Sequence, residues 1–341
     1  MKFYDQRLCN SARNFLGIYF LKKGTVDMKS LSEITDFYYT NLHPVLKELE
    51  KRRENVKSRI LMVFSVVLLI DFMVFSYVKN NLDWLFFVNV AILVFAYKFL
   101  KQDYTKEFKD RVIKPLIGAI DKNLNYSKDV HISEFKFINS QLFSVIPDKI
   151  EGNDHISGDI DGVRIELSDI HAQKKHLNPK GSESWSTIFQ GLFIICEFNK
   201  KFSARTLVLP DVAQSSFGNL VGNWLQSHNS SRGELIKMDN PEFEKEFVVY
   251  GNDQIEARYI LTHSLMKRLL GFRKKSSKNI YVSFVYSHIY IAIDYGRDLF
   301  EPSVFKSLLD YKVAMEYMQT LYLAIGIVDE LKLNEKLWSK I

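Results

Sequence analysis

Residues 60–78 read ILMVFSVVLLIDFMVFSYV and residues 84–100 read WLFFVNVAILVFAYKFL. The first run carries one charge, Asp71, in 19 residues. At about 1.5 Å per residue it makes roughly 28 Å of helix, close to the thickness of a hydrocarbon core. The second run is shorter and holds Lys98 near its end, where a long side chain can snorkel to the headgroups. Only Lys79–Asp83 separates the two, so a chain that crosses a bilayer at the first run returns at the second. The expected fold is α+β: a two-helix transmembrane hairpin with a helical stalk, joined to a domain of antiparallel sheet packed with helices.

Charge sets the orientation of that hairpin. Lys51, Arg52, Arg53, Lys57 and Arg59 precede the first run against Glu54. Lys98, Lys101, Lys106, Lys109, Arg111 and Lys114 lie at and beyond the end of the second. Cationic flanks stay in the cytoplasm, so both termini are expected there, with the short loop outside. The net charge of +6 is then explained by anionic headgroups at the membrane ends, and no nucleic-acid partner is expected. No secretory signal pattern is visible in the first 28 residues; the apolar piece Phe15–Leu21 has only 7 residues and is expected to pack on the soluble domain, the alternative being the bilayer surface.

The segments beside the hairpin are amphipathic. Over Ser30–Arg59 the residues Leu31, Ile34, Tyr38, Leu42, Val45 and Leu49 recur at helical spacing, interrupted by Pro44. Over 101–124 the residues Phe108, Val112, Leu116, Ile120 and Leu124 do the same. Burying both stripes against each other extends the hairpin as a stalk. The chain therefore divides into 1–58 (N-terminal segment and amphipathic helix), 59–100 (hairpin), 101–124 (stalk helix) and 125–341 (soluble α+β domain).

From Asn125 the apolar period becomes two. Asp161-Gly162 between Ile156–Ile160 and Val163–Leu167 is a hairpin signal, since both turn positions need positive φ. Further strands are expected at Phe189–Phe198, Arg205–Leu209, Glu234–Met238 and Phe243–Tyr250. A second hairpin joins Ile280–Tyr286 to Ile289–Asp294 through Ser287-His288. Helices are expected at Val212–Gln226, Gln254–Phe272 and Ser303–Leu331. Strands joined by short turns argue for an antiparallel sheet.

Chemistry is sparse. There is no P-loop, no G-x-S-x-G, no H-E-x-x-H and no C-x-x-C, and nothing in the sequence calls for a cofactor. Cys9 and Cys196 do not form a disulfide framework, and Cys196 sits in the apolar run GLFIICEF as a buried thiol. His171 and His176 in SDIHAQKKHLNPKG are read as belonging to a solvated loop, because Lys174 and Lys175 between them would repel a metal. Arg273, Lys274, Lys275 and Lys278 form a basic loop that could bind phosphate or anionic lipid. The best constellation is in the hairpin. Asp71 and Asn89 fall at the same depth on the two runs. A protonated Asp71 donating to Asn89 would offset the cost of a carboxyl in hydrocarbon, on the order of 3 kcal/mol. Such a pair is either helix–helix glue or part of an ion-linked site.

Two long segments, Phe189–Asp211 (FQGLFIICEFNKKFSARTLVLPD) and Met238–Phe272 (MDNPEFEKEFVVYGNDQIEARYILTHSLMKRLLGF), resemble the bacterial family catalogued as domain of unknown function 3137. The helix with HPVLKELEKRR followed by two apolar runs is similar to that family as well, and the likeness extends from about Phe37 to Asp310. It implies an integral protein of the bacterial cytoplasmic membrane, with a membrane protein of the LemA type as a candidate partner. It transfers no catalytic residues. Three functions fit: a non-enzymatic membrane-anchored scaffold or interaction protein, as a homo-oligomer or with a membrane partner; a subunit of a transport or channel assembly using Asp71; or a membrane-bound enzyme with an unrecognised site.

Overall fold

A computed structural model describes residues 37–77, 83–177, 181–197, 201–211 and 233–331. Four sequence expectations lie outside these residues: the apolar piece Phe15–Leu21, the start of the first amphipathic helix, most of the Lys79–Asp83 loop, and the helix at Val212–Gln226. The chain divides into two units. One comprises Ser32–Ala119 with Phe300–Gln319, and the other Ile120–Leu299 with the segment from Thr320.

The helical unit holds α1 (His43–Tyr77) and α2 (Asp83–Phe108), with α3 (Lys114–Ile120) continuing α2. Both long helices contain a π-turn placed the same way. Tyr38–Leu42 precedes His43-Pro44, and Lys109–Ile113 precedes Lys114-Pro115. A proline has no N–H to return to the carbonyl four residues back, and its ring crowds that carbonyl. Widening the preceding turn relieves both problems, so the helix passes through Pro44 instead of restarting there.

The two amphipathic stripes do meet. Leu42, Leu46, Leu49, Phe108, Val112 and Leu116 are all buried. Leu42, Leu46, Phe108, Val112 and Leu116 line one small apolar cavity. Leu46 takes the place expected for Val45, which is only half-buried. Ion pairs tie the helices together at their surface: Arg52 to Glu107 at 3.3 Å, and Arg111 to Glu48. A third element was not expected. Residues 300–310, of which those from Ser303 are expected to start one long helix, form an irregular strap ahead of α8 (Tyr311–Ile325). Leu308, Val313, Tyr317 and Met318 complete the lining of the same cavity, and the Tyr317 ring packs 5.2 Å from Phe108. Pro302 and the Ser303 turn exclude helix here: the Ser303 hydroxyl accepts from the main-chain N–H groups of Phe305 and Lys306.

The second unit is built on a nine-stranded antiparallel sheet in the order β1-β2-β3-β4-β9-β8-β5-β7-β6. Its strands are β1 (Asn125–Ser127), β2 (Lys149–Ile160), β3 (Val163–Leu177), β4 (Glu183–Glu197), β5 (Thr206–Pro210), β6 (Glu234–Ile236), β7 (Phe247–Gly251), β8 (Asn279–Val285) and β9 (His288–Asp294). The β2–β3 turn has Asp161 at φ 52° and Gly162 at φ 80°, as its sequence requires. Ile156, Ile160, Val163, Ile165 and Leu167 are buried on one face, in the expected register. The β8–β9 turn falls at Tyr286-Ser287, one residue earlier than expected, with Tyr286 at φ 58°.

Central strands are buried on both faces. Val282, Phe284, Ile289, Ile291 and Ile293 fill one. The other face carries Tyr281, Val285, Tyr290 and Ala292, in a cluster with Phe189, Phe193 and, from α4 (Glu134–Asn139), Phe137. The region expected as one helix over Gln254–Phe272 is two: α6 (Gln254–Ile260) and α7 (His263–Ser276). Asp253 caps the first and Thr262 the second. The Asn240-Pro241 turn starts a short helix, α5 (Pro241–Glu244), which takes Phe243 out of the expected strand. The last helical stretch, α9 (Ile327–Leu331), packs on α7.

Candidate functional site

The helical unit holds the polar pair expected on the apolar runs and two buried cations, Arg53 and Lys109. On α1 the seam toward α2 runs through Ile60, Val63, Val67, Asp71 and Val74; on α2 it runs through Leu85, Asn89, Leu93, Ala96 and Leu100. These positions are less exposed than their neighbours on each helix, and they recur every three or four residues. Asp71 and Asn89 therefore sit on the seam itself. The Asn89 amide donates to both carboxylate oxygens of Asp71, at 3.0 and 2.9 Å. An amide nitrogen centred between two oxygens makes a symmetric, short contact and draws α1 and α2 together at one level. Ser65 and Ser76 spend their hydroxyls on carbonyls one turn back, Leu61 and Phe72.

Beyond the apolar runs lies a cluster that the sequence reading missed. Arg53, 3% exposed, forms a fork with Glu50 at 2.9 and 3.0 Å, contacts Glu54, and donates to the carbonyl of Val304 at 2.6 Å. Glu50 also accepts from the Ser307 hydroxyl at 2.8 Å and the Leu308 N–H at 2.9 Å. Burial pushes the Glu50 carboxyl up, but Arg53 and these two donors outweigh it and hold the group below the usual range. On the other helix, Lys101 and Lys109 converge on Glu301 at 2.8 and 3.1 Å. Burial again opposes the charged form of Glu301, and the two ammonium groups again prevail, lowering its pKa. The Tyr104 hydroxyl is buried nearby, and burial raises its pKa. The strap is thus clasped from both helices. Its other edge is open: Phe305 is 59% exposed and stacks on Tyr97 at 6.4 Å.

A signal for this clasp is present in the sequence. Arg53 continues the apolar series Leu42, Leu46, Leu49, and Lys101 continues Tyr104, Phe108, Val112 backwards. A cation on a core stripe requires a buried partner. Arg53 finds a carboxylate three residues back at Glu50, but Val304 and Glu301, 251 residues from Arg53 and 200 from Lys101, leave no local trace.

The basic group resolves differently from its expectation. Arg273, Lys274 and Lys275 are the last turn of α7, ahead of a left-handed Ser277 cap, rather than a loop. Cations there complement the negative end of the helix dipole. Arg273 lies 3.5 Å from Glu246, and Lys278 sits 5.3 Å over the Tyr295 ring. Arg273 and Lys278 are therefore engaged within the fold. His171 and His176 are on strand β3, not in a loop; their rings meet Thr187 and Ser186 at 3.0 and 2.7 Å. Among the described residues no group of His, Cys, Asp and Glu could hold a metal. Cys196 is fully buried, and burial pushes its thiol up to about 12, far from a thiolate nucleophile.

Residues 187–333 match the family described as protein of unknown function (DUF3137), so the chain resembles that family. The match begins well after Phe37, leaving out both apolar runs, and continues past Asp310 through α8 and α9. No curated protein matches the chain. Among solved structures, one similar to it is the mycobacterial trehalose monomycolate transport factor A, TtfA, at 9% identity and a TM-score of 0.33, covering 64% of this chain and 93% of that one.

Proposed function

We propose that the protein is a non-enzymatic, membrane-anchored interaction or scaffold protein, with its α+β domain in the cytoplasm and its place in a membrane protein assembly. One observation carries the anchoring. Two helices are long and apolar enough to span a bilayer, and their apolar side chains face outward: Phe72, Phe75, Phe87 and Phe95 are 72–75% exposed. Soluble monomers rarely expose contiguous apolar surface beyond a few hundred Å². The clasp supports the scaffold role, because it ties the hairpin to a C-terminal segment by buried ion pairs. Self-association, or pairing with a membrane protein such as one of the LemA type, would occupy the remaining helix faces.

A second reading rests on Asp71. A carboxyl in mid-span with one amide partner is also the minimum for a proton- or ion-linked transport subunit.

Alkaline carbonate should leave the chain in the membrane pellet, and its release would refute anchoring. Single cysteines at Asn80 and Lys275, treated with an impermeant thiol reagent in intact cells, test orientation. Labelling is expected at 80 and, at 275, only after lysis; the reverse pattern would place the α+β domain outside. Mass measurement in mild detergent tests oligomerisation, with a strict monomer counting against a homo-oligomer.

A further inference from the structure

From the open edge of the strap we infer a second membrane contact: residues 303–309 form an interfacial anchor, with Phe305 inserted at the boundary between headgroups and acyl chains of the bilayer that the hairpin crosses. The inference rests on the membrane reading above and adds a site to it.

The strap has two sides. Pro302, Val304 and Leu308 are buried toward α1 and α2, and Arg53, Glu50, Lys101 and Lys109 hold that side. Phe305, Lys306 and Leu309 point out. Ser303 fixes the turn that projects Phe305, by accepting from its N–H at 3.2 Å and from that of Lys306 at 3.1 Å. Two apolar side chains beside a lysine, on a rigid turn, are the composition of an interfacial segment.

Depth decides what the open side meets. Asn89 is level with Asp71. Tyr97 lies eight residues beyond Asn89, and Val63 lies eight before Asp71, so Tyr97 and Val63 share a level. Val63 is three residues inside the apolar run, about 5 Å from its end. Phe305 stacks on Tyr97 with its ring plane only 4° away. The exposed face of Phe305 is thus at the depth where tyrosines and other amphipathic rings collect in bilayers.

The test uses the full chain carrying Cys9→Ser, in which the remaining Cys196 is buried, reconstituted in vesicles of phosphatidylcholine and phosphatidylglycerol. Nitroxide labels are placed singly at Phe305→Cys, at Phe72→Cys in mid-span and at Lys237→Cys on the sheet unit. Power saturation then compares access by oxygen with access by a water-soluble nickel chelate. The oxygen-to-nickel ratio at 305 is expected to exceed that at 237 several-fold and to fall below that at 72. A ratio at 305 equal to that at 237, with a lipid-like ratio at 72, overturns the interfacial anchor and leaves the spanning hairpin standing. A water-like ratio at 72 removes both. Phe305→Trp keeps a ring on Tyr97 and guards against a strap released by the label. Its added emission should be quenched by lipids brominated near the glycerol backbone; quenching by aqueous iodide alone counts against the anchor.

Discussion

Arg53 reaches across 251 residues of sequence to donate to the main-chain carbonyl of Val304, at 2.6 Å. Its other donors are taken by Glu50 and Glu54. A lysine offers a point charge without the planar fork, so Arg53→Lys cannot serve Glu50 and Val304 together. Arg53→Ala should destabilise the helical unit by about 3 kcal/mol, because Glu50 is left with a buried charge, and Arg53→Lys by less. Thermal unfolding in detergent, with proteolysis around residues 303–309, checks this. Arg52→Ala is the control, since Arg52 is largely exposed. Equal effects at 52 and 53 would show that the clasp contributes nothing.

Glu301 gives the clasp a pH dependence. Its folded pKa is held below the ordinary carboxylate value by Lys109 and Lys101, against the opposing effect of burial. The stability it contributes is therefore full above the unfolded pKa, about 4.3, and is lost as pH falls through the folded value. Glu301→Gln should cost about 2–4 kcal/mol at pH 7, since two cations lose their counter-charge. The gap between wild type and variant should narrow as pH is lowered from 5 toward 3. A gap that stays constant over that range would exclude ionised Glu301 as its source.

Asp71→Asn preserves the size of the side chain and its ability to hydrogen-bond Asn89. If the pair is helix glue, insertion, folding and any cellular phenotype survive it. Asp71→Leu also inserts, but loosens the seam by roughly 1 kcal/mol. In a complementation assay with normal protein levels, loss of function in Asp71→Asn with intact assembly would favour the ion-linked subunit over the scaffold.

Gly191 of β4 faces the main chain at the end of β9. A Cβ there would lie 2.3 Å from the Ile293 carbonyl oxygen and 2.8 Å from the Tyr295 nitrogen, both main-chain atoms that cannot swing aside. Gly191→Ala should therefore cost the sheet unit at least about 2–3 kcal/mol. Gly162→Ala, in the open β2–β3 turn at φ 80°, meets no neighbour and should cost only about 1 kcal/mol from its backbone conformation. Denaturant midpoints for the two variants give the ranking, and the reverse order would contradict it.

Local signals explain what was legible in advance. Asp161-Gly162 fixes a turn within four residues of chain, and the alternating apolar positions of β8 and β9 fix which face is buried. The two apolar runs and the stripes beside them were readable because helical spacing is a short-range property. Long-range pairing was not readable. The Ser303–Leu331 apolar pattern suggested one helix, while Glu50 and Arg53 hold 303–308 in an irregular path: Glu50 accepts from the Leu308 N–H and the Ser307 hydroxyl, and Arg53 donates to the Val304 carbonyl. The same limit turned the end of α7 into an expected loop. Its three cations look like a solvated turn until the dipole and Glu246 are in place. Strand β3 was cut short at Leu167 because its polar second half depends on pairing with β4. Asp71 and Asn89 were found because turn length alone sets their common level.

The helical unit is discontinuous: the chain leaves it at Ala119 and returns only at Phe300. On the ribosome, Arg53 is made 251 residues before Val304, and Lys101 200 residues before Glu301. At roughly 5–20 residues per second these are intervals of about 10–50 s. Until the strap is made, Lys101 and Lys109 have no Glu301 to meet, and Arg53, already held by Glu50 and Glu54, has no Val304 carbonyl. Biogenesis therefore has an obligatory order. The two long apolar helices are made first, the whole sheet second, and the strap that closes the helical bundle last, so a nascent chain truncated anywhere before residue 300 is left with Lys101 and Lys109 lacking Glu301.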